Sequence, residues 1–194
     1  MSPPYPSRIQ DLAVLAALAG DDVLKLCRPV IDDPDFATWS GSIKNRHHYG
    51  AGGLQYHTFE VVVLCLRHAD FAREEGHVVD DKVLMCAAMW HDMAKVRDYS
   101  RPSYHILGTP ELWENAPHHR LIHHISASAI EWNLHARACR AAPALVDHVT
   151  HCILSHHAAH GSPIMPKTRE AWILHLCDCM CARVDDCGRV EMKA

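Results

Sequence analysis

The stretch Val83-Leu84-Met85-Cys86-Ala87-Ala88-Met89-Trp90-His91-Asp92-Met93-Ala94-Lys95 decides how this chain is read. Eight apolar residues run unbroken from Val83 to Trp90, and a histidine and an aspartate follow at once. Asp80 or Asp81 can cap a helix that starts there, and the pattern predicts a helix over 80–97. A run of eight is far short of the roughly 20 apolar residues that cross a membrane, so the segment reads as a buried core helix and no membrane partner is expected. His91 and Asp92 then stand where core residues belong.

Working outward, helical periodicity predicts four more helices over 54–75, 119–140, 143–157 and 167–185. Pro143 suits a first helical turn, and Pro166 with Thr168 marks the start of the last helix. Residues 1–40 read as a helical lead-in packed on the core, with Ile9, Leu12, Leu15, Ala16 and Ala19 at near-helical spacing. Asp21 or Asp22 can cap a second short helix, and Asp33-Pro34 breaks it. Residues 41–53 are polar and glycine-rich and read as a loop. No alternating strand pattern, repeat or low-complexity tract appears. The expectation is an all-α helical bundle, with the lead-in at 1–40 and the main domain at 41–194.

A length of 194 residues suits one domain. The net charge of −4 does not suit a non-specific binder of long polyanions, which needs a positive surplus. Met1 to Pro6 shows no basic stretch leading into an apolar one, so no secretion signal is expected. The 9 cysteines are not spaced as a disulfide framework, and a reducing cytoplasm is the expected compartment. The 18 histidines exceed what packing needs and make metal chemistry the first hypothesis.

Polar residues that interrupt apolar stripes give that hypothesis its geometry. His57 leads into Val61, Leu64 and Cys65. His156 lies on the stripe of Leu145, Val149 and Cys152, and Asp178 on that of Ala171, Leu174 and Cys181. A buried carboxylate without a partner costs several kcal/mol. Taken singly, each histidine reads as a hydrogen-bonded core residue, and Asp178 could pair with Arg183. Taken together, His57, His91, Asp92 and Asp178 converge on a divalent metal, with His124 and His156 supplying a second ion and Asp92 able to bridge. The spacing fits successive helices of a bundle: 32 residues separate Asp92 from His124, and another 32 separate His124 from His156.

Four segments carry a family resemblance. They are His47-His48-Tyr49-Gly50-Ala51-Gly52-Gly53-Leu54-Gln55-Tyr56-His57-Thr58, His91-Asp92-Met93-Ala94-Lys95-Val96, Leu121-Ile122-His123-His124-Ile125-Ser126, and Ile153-Leu154-Ser155-His156-His157 through Pro163 and Pro166–Ala171 to Asp178. In this order they resemble the HD-domain superfamily of metal-dependent phosphohydrolases, above all the HD domain of YhaM-type 3′–5′ exoribonucleases, over about residues 40 to 185. His123 and Ala158 stand where that pattern usually has glycine. The resemblance implies an HD-domain bundle with one or two divalent ions (Mn, Fe, Co or Ni, with Mg possible) held by His57, His91, Asp92, His124, His156 and Asp178. It implies hydrolysis of phosphoesters of nucleotides or short nucleic-acid ends by a metal-activated water. The exoribonucleases also carry an OB-type nucleic-acid domain, whereas here about 40 helical residues precede the HD core.

Further residues receive roles on the same reading. Lys95 holds a phosphate oxygen or the leaving group; the alternative is a surface lysine. His157 is a metal ligand, a proton donor or an orienting residue. His47 and His48 line the mouth, and Arg169 and Lys167 contact phosphate. Cys177, Cys179, Cys181 and Cys187 suit packing better than a zinc site, because zinc ligands span a knuckle and not a helix. Two other functions fit the ligand order: a di-iron oxygenase cleaving a C–C or C–P bond, and a non-catalytic nucleotide-binding module. Beyond Lys44, Arg46, Lys95, Arg97, Arg101, Lys167 and Arg169 there are few cations for a polymer track. Mononucleotides and short oligonucleotides are therefore the expected substrates.

Overall fold

A computed structural model describes residues 5–43, 46–101 and 113–191, so Lys44 lies outside the described residues. The order is α1 (Ile9–Ala19), α2 (Asp21–Ile31), α3 (Pro34–Thr38), α4 (Gly53–Glu74), α5 (Asp81–Trp90), α6 (Lys95–Asp98), β1 (Tyr99–Ser100), β2 (Glu114–Asn115), α7 (His118–Leu121), α8 (His124–Ala138), α9 (Pro143–Ser155) and α10 (Arg169–Glu191). Among the described residues the fold is all-α apart from one antiparallel ladder, in which Tyr99 faces Asn115. No helix among the described residues is long and apolar enough to cross a membrane.

A helix that is apolar on every side must be covered on every side. α5 meets that demand: every residue from Val83 to Trp90 is buried, with α1, α2, α4, α9 and α10 packed around it. Leu12, Ala16, Val23, Leu26, Cys27 and Val30 of α1 and α2 belong to the same core. The Trp90 indole N–H donates to the Leu26 carbonyl at 3.0 Å, and that of Trp132 to the Val146 carbonyl at 3.0 Å. Gln55 ties in the start of the chain, accepting from the Arg8 N–H at 2.7 Å and donating to the Pro6 carbonyl at 3.0 Å.

Local signals set most of the ends. The Asp80 carboxylate accepts from the Lys82 and Val83 N–H groups and caps α5. Asp33 caps α3, with Pro34 in the first turn. The Thr168 hydroxyl accepts from Ala171 N–H at 3.2 Å at the head of α10.

Two predicted helices are interrupted. The helix expected over 80–97 ends at Trp90, and a turn over 91–94 precedes α6. Tight i to i+3 bonds, such as Lys95 N–H to the Asp92 carbonyl at 2.9 Å, make that turn. The helix expected from 119 opens at Ile122 and His123, and α8 restarts at His124, whose N–H is taken by the Asp98 carboxylate at 2.9 Å.

The expected loop at 41–53 is present but is packed into the protein. Gly41 N–H donates to the His48 carbonyl at 3.0 Å, and Gly50 N–H to the Ser40 hydroxyl at 2.8 Å. A Cβ on Gly53 would stand 1.8 Å from the His48 carbonyl oxygen. Gly53→Ala is therefore expected to lose about 1–3 kcal/mol of stability, the usual cost of overpacking. Denaturant unfolding measures this, and an unchanged midpoint would contradict the packing of the loop on α4.

Candidate metal centre

Five helix segments bring the six candidate ligands together. His57 sits in the second turn of α4, and His91 and Asp92 follow the end of α5. His124 opens α8, His156 follows α9, and Asp178 lies within α10. All six are buried. His57 Nε2 is 3.1 Å from Asp178 Oδ1 and 3.4 Å from Asp92 Oδ2. His91 Nε2 is 3.4 Å from Asp92 Oδ2 and 4.0 Å from Asp178 Oδ1. The other Asp92 oxygen, Oδ1, lies 3.3 Å from His124 Nε2 and 3.7 Å from His156 Nε2. Asp92 thus offers one oxygen to each of two sets. The first is His57, His91, Asp92 and Asp178; the second is Asp92, His124, His156 and His157.

The rings are oriented from behind. Nδ1 of His91 donates to the Ala88 carbonyl at 2.8 Å, that of His156 to the Ile153 carbonyl at 2.7 Å, and that of His124 to Asp98 Oδ2 at 3.0 Å. Each of these bonds leaves Nε2 as a bare lone pair aimed inward, the arrangement that metal-ligating histidines adopt. Nε2 of His124 and of His156 is buried with no hydrogen-bond partner. Buried polar atoms without partners are rare, and a cation between these nitrogens and Asp92 satisfies them. The residues therefore fit one or two divalent ions, with only nitrogen and oxygen donors.

Electrostatics prepares the ligands. Burial alone would raise Asp92, but Lys95, His91 and His57 outweigh it and hold its carboxyl well below the usual range. Asp178 is likewise held low against its burial, chiefly by His57. Burial lowers His124 to about 4, and His156 and His157 to about 3, so these rings are neutral. In His57 the pull of Asp178 and Asp92 overcomes burial and raises the ring to about 9.

A pocket of about 660 Å³ opens over Asp178, His124 and His157. Lys95, Arg46, Arg183, His47, His119 and His123 also line it. Lys95 is buried and is not a surface lysine: its Nζ is 2.5 Å from Asp92 Oδ2 and donates to the Gly41 carbonyl at 3.0 Å. Asp178 meets His57 and His157, and Arg183 faces the pocket instead.

Three expectations need correction. Arg169 does not reach the pocket. It opens α10 and points toward the Val78 carbonyl, with Lys167 beside it; at 1.5 Å per residue it stands about 13 Å before Asp178. His48 does not line the mouth, because its ring is buried with Nε2 2.7 Å from Glu60 Oε2. Cys177 and Cys181 are buried, as packing thiols should be, but Cys179 lies on the pocket wall.

Asp98, which the sequence reading passed over, is fully buried and accepts from His118, His119 and His124. Its only signal in the sequence is an acidic residue one turn after Lys95. Arg46 and Arg183 reach the pocket only through tertiary folding.

Metal loading must displace the proton on His57, while His124, His156, His157 and both carboxylates are already in ligand form. Uptake at neutral pH is expected to release about one proton from His57. Affinity should fall as pH drops from about 9, because protonated His57 competes with the ion. Calorimetry in buffers of different ionisation enthalpy reads this; proton release that does not vary with pH would contradict it.

No protein-family model matches the chain, and no solved structure matches it. Its sequence is similar to the 3′-5′ exoribonuclease YhaM of Bacillus subtilis, 30% identical over 158 residues, covering 79% of this chain and 45% of that protein. The YhaM of Bacillus velezensis is 30% identical over 155 residues, 77% and 44% of the two chains, and that of Oceanobacillus iheyensis 27% over 161 residues, 82% and 47%. The chain spans less than half the length of these curated relatives. With the ordered His, His-Asp and Asp pattern gathered at one centre, the chain is related over about four fifths of its length to the YhaM-type 3′–5′ exoribonucleases.

Proposed function

We propose that this chain is a metal-dependent phosphohydrolase that cleaves phosphodiester bonds of nucleotides or of short RNA ends. The observation that carries this reading is the Asp92-centred ligand set opening onto a pocket walled by Lys95, Arg46 and Arg183. The relatives are named as exoribonucleases, which favours a hydrolytic reaction and an RNA substrate over an oxygenase or a non-catalytic module.

His57, His91, Asp92 and Asp178 would hold one ion, and Asp92, His124, His156 and His157 another. Imidazole and carboxylate donors suit Mn, Fe, Co or Ni, and Mg less well. Ions held there supply water activation near neutral pH and charge neutralisation at phosphorus.

The protein's own groups do the rest. Lys95 stays protonated against its burial because Asp92 is beside it, so a cation faces the pocket at every working pH. It is placed to take a non-bridging phosphate oxygen in a pocket that Arg46 and Arg183 also line. His157 serves better as a ligand than as a proton donor, because burial holds it neutral at about 3. The buried shell of Asp98, Ala88 and Ile153 acceptors fixes the rings, so no reorganisation is needed when the substrate arrives.

Asp92→Ala is expected to abolish both hydrolysis and metal content, and His124→Ala to remove less of each. Lys95→Ala is expected to lower turnover by about 10²–10³-fold with metal content retained, because a bound ion would take over the charge balance of Asp92 that Lys95 supplies and leave the ammonium to phosphate. Elemental analysis beside steady-state kinetics checks both; an active Asp92→Ala protein would overturn the bridging role.

Substrate length is tested with a mononucleotide, a short oligoribonucleotide and a long single strand at two salt concentrations. The short substrates are expected to turn over faster and to respond weakly to salt, since few phosphates can be contacted at once. Faster, strongly salt-dependent cleavage of the long strand would overturn the size preference.

A further inference from the structure

Beside the Asp92 centre, three more ring nitrogens converge with no acceptor or donor among them explained. His47, His48 and His57 place ligand atoms within 4.8 Å of one another. His48 and His57 are 1% and 0% exposed. In all three rings Nδ1 is buried without a hydrogen-bond partner. The ring centroids of His48 and His57 are 4.9 Å apart, and those of His47 and His57 are 5.4 Å apart.

The surroundings fix which nitrogen is bare. A carboxylate only accepts, so the 2.7 Å contact to Glu60 makes Nε2 of His48 the N–H and leaves Nδ1 as a lone pair. A carboxylate behind a histidine is the arrangement that orients metal ligands. His57 spends Nε2 on Asp92 and Asp178, which leaves its buried, unpartnered Nδ1 as the nitrogen it can offer to the cluster with His47 and His48.

The backbone is also committed. His48 has φ 51°, a left-handed conformation that a non-glycine residue keeps only when the structure imposes it. Its N–H donates to Asp185 Oδ2 at 2.7 Å, and its carbonyl accepts from Gly41. A buried imidazole nitrogen left without a partner beside two other rings is costly unless something binds there.

We propose that His47, His48 and His57 form an additional, nitrogen-only site for a borderline transition-metal ion such as Zn²⁺, Co²⁺, Ni²⁺ or Cu²⁺, sharing the His57 ring with the Asp92 centre. Three imidazoles without a carboxylate select these ions over Mg²⁺, Ca²⁺ and Mn²⁺. His47 lines the pocket, so the remaining coordination position opens toward the substrate space. Lys95 opposes an added cation here, while Asp178, Glu60 and Asp185 favour it. Filling both sites at once sends the remaining ring proton of His57 to solvent. The site does not depend on which reaction the Asp92 centre runs.

The test is equilibrium dialysis of the metal-stripped full chain against Co²⁺ and, separately, Mn²⁺, with visible absorption of the cobalt form. Wild type is expected to hold about one equivalent more Co²⁺ than His47→Asn or His48→Gln, while the three proteins bind Mn²⁺ alike. His47 is only partly buried, so its variant carries the test if His48→Gln fails to fold. Equal Co²⁺ content and equal spectra in wild type and His47→Asn would overturn the proposal. The Mn²⁺ arm reads the Asp92 centre alone, so failure there counts against that centre and leaves the cobalt difference to decide this site.

Discussion

The structure depends on where Asp92 places its two oxygens. One carboxylate at the end of a buried helix faces His57 and His91 on one side and His124 and His156 on the other. That is possible because α5 stops at Trp90. On a continuous helix His91 and Asp92 would point about 100° apart. The turn over 91–94 brings the two together, so the break is part of the site.

The same economy appears at Asp98. It satisfies the N–H that begins α8, orients the His124 ring and receives His118 and His119. One buried carboxylate therefore sets both a helix start and a ligand direction. Ala116 N–H donates to the Asp98 carbonyl at 2.8 Å beside the short β-ladder, so the segment after residue 113 is tied to the same point.

How much of this was legible in the sequence follows from what each feature rests on. The apolar run ending in His91-Asp92 marks a buried helix with charged residues at its end, and the ligand residues stand out because they occupy apolar stripes. Those are local patterns. Arg169 looked like a phosphate contact because charge near a helix start is visible in one dimension, whereas its distance from Asp178 along α10 is not a matter of charge. The paired His47-His48 gave no hint that one ring faces the pocket and the other Glu60, since that depends on Gly41 and Gly53 closing around the His48 backbone. Asp98 was missed because a lone acidic residue after a helix reads as solvent-facing until its three histidine partners are folded onto it.

The ion pair of Lys95 with Asp92 has a consequence for the charge at the base of the pocket. Asp92 and Asp178 are held ionised, and Lys95 and His57 carry protons beside them, so these four groups balance in charge. Each divalent ion that replaces a proton there would add positive charge at the base of a pocket already walled by Arg46 and Arg183, so metal loading would strengthen its pull on anions.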